Sequence, residues 1–198
     1  MTDIIFATGN EGKVKEINMI LADGQIQVHT MQEAGITIEI EENGNSFEEN
    51  AMIKAKEVAK HTNSIVLADD SGLEIDYLNG EPGIYSARYM GEDTSYRIKN
   101  QNLIDRLAGV PDEKRSARFV CVIAAVFPDG EVVTTRGVME GMIGYQEAGE
   151  NGFGYDPVFF LPEYDMTSAQ LDAEKKNEIS HRGKALRAMK QEIAKRMR

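Results

Sequence analysis

The stretch of the sequence with the clearest chemical potential is Asp69-Asp70-Ser71-Gly72, which follows the apolar run Ile65–Ala68. Two adjacent carboxylates at the end of a buried strand are unfavourable unless they bind something. Mg²⁺ takes oxygen ligands, usually one or two carboxylates together with substrate phosphates. Neighbouring residues on a strand point to opposite faces, so one carboxylate can face a ligand while the other orients the backbone. The alternative interpretation is an Asx turn that closes a hairpin.

A second stretch, Thr8-Gly9-Asn10-Glu11-Gly12-Lys13, lies between a predicted strand and a predicted helix. Glycines allow a ligand to approach the backbone closely, and the N–H groups at the start of a helix bind anions. Lys13, in the first turn of that helix, can reach a phosphate. The stretch is neither a P-loop nor a dinucleotide-binding fingerprint, and an ordinary flexible strand–helix turn is the alternative.

Acidic and polar residues between positions 39 and 54 add to this set. Glu41 and Glu42 are candidate metal ligands in an acidic stretch, or else part of a solvated loop. Asn50 and Lys54 lie four residues apart and therefore share one face of a predicted helix. That face either binds a ligand or forms the solvent side of the helix.

Two further stretches are suited to binding a ring and its substituents. Phe153 lies between two glycines in 152–157, where it offers a flat surface on a permissive backbone, and Asp156 is held extended by the proline that follows. Two lysines, the second of them Lys176, precede Ser180-His181-Arg182, and planar donors at a helix start can bind a carbonyl edge or a phosphate. The alternatives are a packed aromatic turn and a structural histidine.

Strands and helices must position these residues, and the apolar spacing predicts both. Predicted strands cover Asp3–Thr8, Ile26–Thr30, Ser64–Asp69, Gly72–Leu78, Ala117–Phe127, Glu131–Val138 and Pro157–Leu161. Predicted helices cover Glu11–Ala22, a segment from a Ser46–Glu49 capping box to about Lys60, Ser95–Leu107, Glu174–Glu178, and a final segment capped by Ser180 with Ala185, Leu186, Met189, Ile193 and Met197 on one face. Interleaved strands and helices predict an α/β fold with a mixed sheet.

Composition narrows the function. The chain has 198 residues, enough for one domain of ordinary size or for two small lobes that share a core. Its net charge of −11 argues against binding a long nucleic-acid backbone. The longest apolar run, Phe119–Phe127, is too short to span a membrane, and the first ten residues do not form a signal peptide. The single cysteine, Cys121, indicates a reducing compartment. We therefore expect a cytoplasmic, soluble protein.

Taken in order, these stretches resemble the inosine triphosphatase family, the pyrophosphatases that act on non-canonical purine nucleoside triphosphates. The resemblance runs from near residue 3 to about residue 190. The matching segments are TGNEGK (8–13), SFEENAMIKA (46–55), LADDSGLEID (67–76), PGIYSARYMGE (82–92), ARF (117–119), GFGYDPVFF (152–160) and SHR (180–182). Segments 23–38 and 129–150 carry no clear motif.

The resemblance implies one nucleoside-triphosphate pyrophosphatase domain over residues 1–198. It would have two lobes around a long central mixed sheet flanked by helices, an active-site cleft between the lobes, and a homodimeric assembly. The implied reaction is Mg²⁺-dependent hydrolysis of ITP, dITP or XTP to the nucleoside monophosphate and pyrophosphate, with no nucleic-acid or membrane partner.

The resemblance also implies residue roles. Asp70 would be the general base and a metal ligand, with Glu41 as the second metal ligand and Glu42 as the fallback. The residues implied to bind substrate are Thr8, Gly9, Asn10, Glu11, Gly12, Lys13, Lys54, Ser71, Phe153, Gly154, Tyr155, Asp156, Lys176, His181 and Arg182. Two alternatives remain open: a pyrophosphatase of the same fold that acts on canonical or modified pyrimidine nucleotides, and a nucleotide-binding regulatory protein without turnover.

Overall fold

The structure is a computed structural model that describes residues 2–21 and 25–196, without the side chain of Glu11. Its strands are β1 (Thr2–Phe6), β2 (Ile26–Thr30), β3 (Ile65–Ile75), β4 (Ser116–Val126), β5 (Val132–Ile143), β6 (Phe159–Leu161) and β7 (Met166–Thr167). Its α-helices are α1 (Glu11–Leu21), α2 (Phe47–Ala59), α3 (Tyr96–Arg106), α4 (Ala173–Ile179) and α5 (His181–Arg196). The predicted helical positions Ala22 and Met197 lie outside the described residues.

The strands form one seven-stranded sheet in the order β2-β1-β3-β4-β5-β6-β7. Next to one edge of the sheet, β1 pairs in parallel with both β2 and β3, as the alternation of strands and helices at the start of the chain requires. At the other edge, β5, β6 and β7 pair antiparallel. The predicted α/β class with a mixed sheet is confirmed.

The chain divides into two compact units, each with its own hydrophobic core. The first consists of the described residues of Met1–Asp70, Cys121–Gly137 and His181–Arg198, and the second of Ser71–Val120 and Val138–Ser180. The core of the first unit includes Phe6, Ile17, Leu21, Leu67, Ile123, Ala185, Leu186, Met189 and Ile193. The core of the second includes Leu73, Ile75, Leu103, Leu107, Phe119, Met139, Val158 and Phe159. The apolar face predicted for the final helix is thus confirmed at the four positions that the structure describes.

The prediction that one strand ends at Asp69 and another begins at Gly72 is wrong. A single strand, β3, runs through both carboxylates from Ile65 to Ile75, because its backbone stays extended through the glycine. Its first half belongs to the first unit, where Ile65–Leu67 pair with β1, and its second half belongs to the second unit. The two carboxylates therefore sit in mid-strand, where no turn supplies partners for them.

At the start of α2, the predicted N-cap residue Ser46 is confirmed, but the predicted return bond of the capping box, donated by the Ser46 backbone N–H to Glu49, is wrong. The Ser46 hydroxyl accepts the backbone N–H of Glu49 at 3.1 Å. The Glu49 carboxylate accepts the N–H of Asn45 at 2.7 Å, one residue earlier than the box pattern requires. The loop before the helix is thereby bound to its first turn.

Cys121 lies in β4 and is completely buried in the core of the first unit. Burial raises the pKa of its thiol to about 12, so the thiolate is almost absent at neutral pH. Within residues 2–21 and 25–196, no helix combines the length and the apolar character that a membrane span requires.

Candidate active site

The Thr8–Lys13 loop connects β1 to α1, and its own side chains fix its shape. The Thr8 hydroxyl accepts the N–H of Asn10 at 3.2 Å, and the Asn10 side-chain carbonyl accepts the N–H of Lys13 at 3.1 Å. Asn10 thus caps α1. A methyl group added at Gly9 would meet no atom within 4 Å, so the backbone there borders open space. This arrangement leaves room for a ligand beside a lysine-flanked helix start.

Asp69 anchors this loop to the sheet. Its carboxylate forms an ion pair with Lys13 at 2.8 Å and a longer one with Arg182 at 3.4 Å. Arg182 also forms an ion pair with Glu16 of α1. Burial alone would raise the pKa of Asp69, but the charges of Lys13, Arg182 and Lys54 outweigh it and hold the pKa well below its usual value. Asp69 is therefore a permanently charged structural group.

Asp70, the next residue, has the opposite electrostatic environment. It is 6% exposed, and the ammonium of Lys54 lies 3.8 Å from its carboxylate. Burial raises the pKa of Asp70 to about 6, with Glu42 adding to the rise and Lys54 opposing it. Two neighbouring carboxyl groups with pKa values pushed in opposite directions are typical of sites that move protons. Asp70 is the one suited to accept a proton near neutral pH.

The same region accommodates a cation. The Lys54 ammonium lies 3.2 Å from Glu42 and 3.8 Å from Asp70, so the two carboxylates already share one positive charge. Among the described residues, no group of three or more Asp, Glu, His or Cys side chains is arranged to hold a metal. Two carboxylates completed by phosphate and water oxygens are, however, what Mg²⁺ commonly uses. The residues therefore fit a magnesium ion whose remaining coordination positions are filled by water or by the oxygens of a phosphorylated substrate.

The structure distinguishes the two acidic candidates of the loop. Glu42 is partly buried and contacts Lys54, whereas Glu41 is exposed. Glu41 as a metal ligand stays a prediction, and the geometry favours Glu42 as the carboxylate nearer to Asp70.

In the second unit, Asp156 organises the Gly152–Pro157 loop. Its carboxylate accepts the N–H of Phe153 at 2.8 Å, the hydroxyl of Ser168 at 2.9 Å and the ammonium of Lys176 at 2.7 Å. Lys176 also lies 4.9 Å from the centre of the Phe153 ring, within cation–π distance. Asp156 thus fixes both the ring that was predicted to stack on a base and the lysine beside it.

Gly152 and Tyr155 complete this loop. Gly152 has a φ of +73°, and a side chain there would come within 2.2 Å of the Asp156 carboxylate, so both conformation and space require glycine. Tyr155 is buried, its ring meets Tyr96 edge-on at 5.1 Å, and its hydroxyl donates to the Ser86 carbonyl at 2.6 Å. Tyr155 therefore anchors the loop in the core of the second unit.

The predicted site residues fall into two groups. The first unit holds the Thr8–Lys13 loop, Glu41, Glu42, Lys54, Asp70, His181 and Arg182, and the second unit holds Ser71, Phe153, Gly154, Tyr155, Asp156 and Lys176. His181 and Arg182 are both buried at the start of α5. The side chain of Glu11 lies outside the described residues.

Three partners in these groups were not predicted from the sequence: Glu16 on Arg182, Ser168 on Asp156, and the contact of Asn50 with the acidic loop. Glu16 lies three residues after Lys13 and therefore on the same face of α1, which is the one signal that could have identified it.

The fold and the site define an α/β protein in which a glycine loop, two lysines and a pair of buried carboxylates meet at the middle of one strand. Residues 4–192 match the Ham1 family. The chain belongs to that family, which confirms the family resemblance found in the sequence.

Several relatives are similar to this protein over nearly the whole chain. The chain is 48% identical to a dITP/XTP pyrophosphatase of Clostridium perfringens, with 98% of each chain covered, and 47% identical to a dITP/XTP pyrophosphatase of Bacillus subtilis, with 96% of each covered. A solved structure of the Staphylococcus aureus Ham1 protein is similar with a TM-score of 0.88 and 42% identity, covering 98% of this chain and 100% of that one. A nucleoside-triphosphatase / dITP/XTP pyrophosphatase of Mycobacterium abscessus is similar with a TM-score of 0.75 and 40% identity, covering 95% and 98%.

Proposed function

We propose that this protein hydrolyses the non-canonical purine nucleoside triphosphates dITP, ITP and XTP to the nucleoside monophosphate and pyrophosphate. The observation that carries this proposal is the convergence of Lys13, Lys54, Asp69 and Asp70 beside the open backbone of Gly9. A site that only binds phosphates gains nothing from additional carboxylates unless a metal joins them. Membership of the Ham1 family and the names of its pyrophosphatase relatives support the same conclusion.

The triphosphate is bound by the first unit. The N–H groups at the start of α1 and the ammonium groups of Lys13 and Lys54 neutralise its charge. Asp69 holds Lys13 in place through their ion pair, and Arg182 contacts the same carboxylate of Asp69. Hydrolysis of a phosphoanhydride depends mostly on such positioning and on neutralisation of the developing charge.

Asp70 removes the proton from the attacking water. Its raised pKa lets it hold that proton near neutral pH, and its strand position fixes the carboxylate. Mg²⁺, held by Asp70 with Glu42 or Glu41, would supply Lewis-acid neutralisation of the phosphate oxygens when bound. Lys54 lies between the same carboxylates, so it keeps their mutual repulsion low before the metal arrives.

The candidates for contacting the base are Phe153 and Lys176 in the second unit, and His181 and Arg182 in the first. A 6-oxo purine offers an acceptor oxygen where adenine offers an amino donor, and Lys176 and Arg182 have donors only. Asp156 contributes by holding Phe153 and Lys176 rather than by a free acceptor, since three donors already engage its carboxylate. We also expect the single-domain organisation over residues 1–198 and the homodimer that the resemblance implies. The net charge and the composition lead us to expect no nucleic-acid partner and a cytoplasmic location.

The test is an assay of the purified protein with ITP, XTP, GTP, ATP and a pyrimidine triphosphate in the presence of Mg²⁺, with pyrophosphate and orthophosphate measured separately. We expect pyrophosphate from ITP and XTP at a kcat/KM about a hundredfold or more above that for ATP. Release of orthophosphate would show cleavage at another bond. Preference for the pyrimidine would favour the alternative pyrophosphatase, and binding without turnover would favour the regulatory protein.

A further inference from the structure

Asn50 is a buried polar residue that the proposed mechanism does not use. It lies in the first turn of α2, one helical turn before Lys54, and none of its surface is exposed. The sequence allowed its face of α2 to be the solvent side, but the structure buries it. A buried amide must place its donor and its acceptor on specific partners, so these partners indicate what the residue does.

The acceptor of Asn50 is bound to the acidic loop. Its side-chain carbonyl accepts the backbone N–H of Gly44 at 2.8 Å. The loop and the helix are in such close contact here that a side chain on Gly44 would come within 2.7 Å of both the Asn50 carbonyl and the Glu49 side chain. Glycine is therefore required at position 44 by space. The contact holds the segment that carries Glu41 and Glu42.

The donor of Asn50 is buried as well. Its amide nitrogen makes no hydrogen bond of normal geometry with any of the residues that the structure describes. Burial raises the pKa of Asp70, and the Asn50 side chain is among the groups that oppose this rise, together with Lys54 and Lys13. The amide therefore belongs to the electrostatic surroundings of that carboxyl group, while the hydrogen bond of its carbonyl is made to the acidic loop.

Lys54 connects the same two parts of the unit. Its ammonium lies 3.2 Å from Glu42 of the acidic loop and 3.8 Å from Asp70 of β3. Asn50 and Lys54 thus lie on one face of α2, where the amide of Asn50 binds the backbone of the acidic loop and the ammonium of Lys54 lies near the carboxylates of both the loop and β3. The amide differs from the ammonium in one respect: it does not compete with a metal ion for the carboxylates.

We propose that Asn50 is a positioning residue that holds the acidic loop against α2, so that a carboxylate of the loop stays beside Lys54 and close enough to Asp70 for both to bind one divalent cation. The proposal rests on the proposed function for the cation and for the identity of the reaction. Residues that orient metal ligands from behind typically change metal affinity or activity by about 10- to 100-fold when they are replaced.

Two variants break the contact from opposite sides. Asn50→Leu removes the amide while keeping the branching and the number of side-chain heavy atoms, and Gly44→Ala leaves the amide in place but forces the loop away from it. Asn43→Ala, in the same loop but exposed, is the control for loop composition. Val58→Ala, in the buried face of the same helix, is the control for a general loss of stability.

The primary measurement is Mg²⁺ binding without nucleotide, by isothermal titration calorimetry, with the melting temperature measured in parallel. We expect a loss of affinity of about tenfold or more in Asn50→Leu and in Gly44→Ala, with no further loss in the double variant because both break one contact. Neither control should change the affinity, although Val58→Ala should melt at a lower temperature. In turnover, the Mg²⁺ concentration that gives half of the maximal rate should rise about tenfold or more, while the KM for ITP at saturating Mg²⁺ stays within about threefold.

The proposal is overturned if both variants fold and bind Mg²⁺ as the wild type does, or if their losses match those of Val58→Ala. Additive losses in the double variant would also contradict a single shared contact. If Asn50→Leu fails to fold, Gly44→Ala carries the test alone. Loss of Mg²⁺ binding in the variants of a protein that cleaves no nucleotide would refute the proposed function but support this inference.

Discussion

Replacement of Asp70 by Asn should make the metal-free protein more stable while nearly abolishing its activity. The ionised carboxylates of Asp69 and Asp70 have opposite effects on the free energy of unfolding, and only Asp70 is suited to accept a proton. In the folded protein, burial raises the pKa of Asp70 from 3.8 to about 6. Each unit of difference corresponds to about 1.4 kcal/mol, so the ionised carboxylate lowers the free energy of unfolding by up to about 3 kcal/mol.

The sign of the pH dependence follows from which state holds the proton. Between pH 3.8 and about 6 the folded carboxyl keeps a proton that the unfolded one has lost, so wild-type stability falls as pH rises through this window. Below pH 3.8 Asp70 is protonated in both the folded and the unfolded protein, so it no longer lowers the free energy of unfolding. The Asn variant should therefore be more stable at pH 8 and equally stable at pH 3.5. A gain of about 3 kcal/mol corresponds to about 6 °C or more in Tm for a chain of this length.

The assay is differential scanning calorimetry of both proteins at several pH values in a chelating buffer, followed by kinetics with ITP and Mg²⁺. Asp69→Asn is the matched control and should behave in the opposite way. Its pKa is lowered in the folded state, so its charge stabilises the protein above about pH 4, and Lys13 and Arg182 lose a buried partner in the variant. Loss of the general base should reduce kcat by about 10²- to 10⁴-fold in Asp70→Asn.

Three results would refute this reasoning: no stability gain in Asp70→Asn at pH 8, a gain of equal size at pH 3.5, or more than about a tenth of wild-type turnover. Addition of Mg²⁺ should narrow the difference in stability between Asp70→Asn and the wild type, because the ion binds the wild-type carboxylate and stabilises the folded wild type by mass action.

Further substitutions test the other site residues. Lys13→Ala should raise the KM for ITP more than it lowers kcat, because a static contact with phosphate acts equally on ground and transition states; a fall in kcat at unchanged KM would contradict this. Arg182→Ala should narrow the ITP-to-ATP ratio of kcat/KM, and an unchanged ratio would mean that Arg182 does not contact the 6-position. Asp156→Asn should lower the stability by about 3 kcal/mol in calorimetry, since Lys176 loses its buried partner, and should raise the KM for ITP because Phe153 is no longer held. Wild-type KM in that variant would contradict the positioning role of Asp156.

Most secondary structure was predictable because it depends on local patterns. The apolar spacing of α5 and the Ser46 cap of α2 are local, and both are found where they were predicted. The continuity of β3 was not predictable in this way, because Asp69 and Asp70 are typical of strand ends and turns. They are tolerated in mid-strand because Lys13, Arg182 and Lys54 come from other elements to meet them.

The site was predictable in its residue types but not in its pairing. The motifs indicated that Lys13, Lys54 and Asp70 belong together, but not that Lys13 pairs with Asp69 rather than Asp70. Nor does any local pattern separate Glu41 from Glu42, because which of the two turns towards Lys54 depends on how the loop is held against α2. Such choices depend on contacts between residues far apart in sequence, which periodicity does not record.

The burial of Cys121 gives this protein a built-in reporter of its own opening. The chain has a single thiol, which lies on the strand next to β3, in the core that supports Asp69 and Arg182. Since a buried thiol with a strongly raised pKa hardly reacts, an alkylating reagent labels it only in molecules whose first unit has opened. The labelling rate of the unmodified protein therefore measures the free energy of that opening directly. The same burial implies that mild oxidants, which attack thiolates, leave Cys121 of the folded protein unmodified.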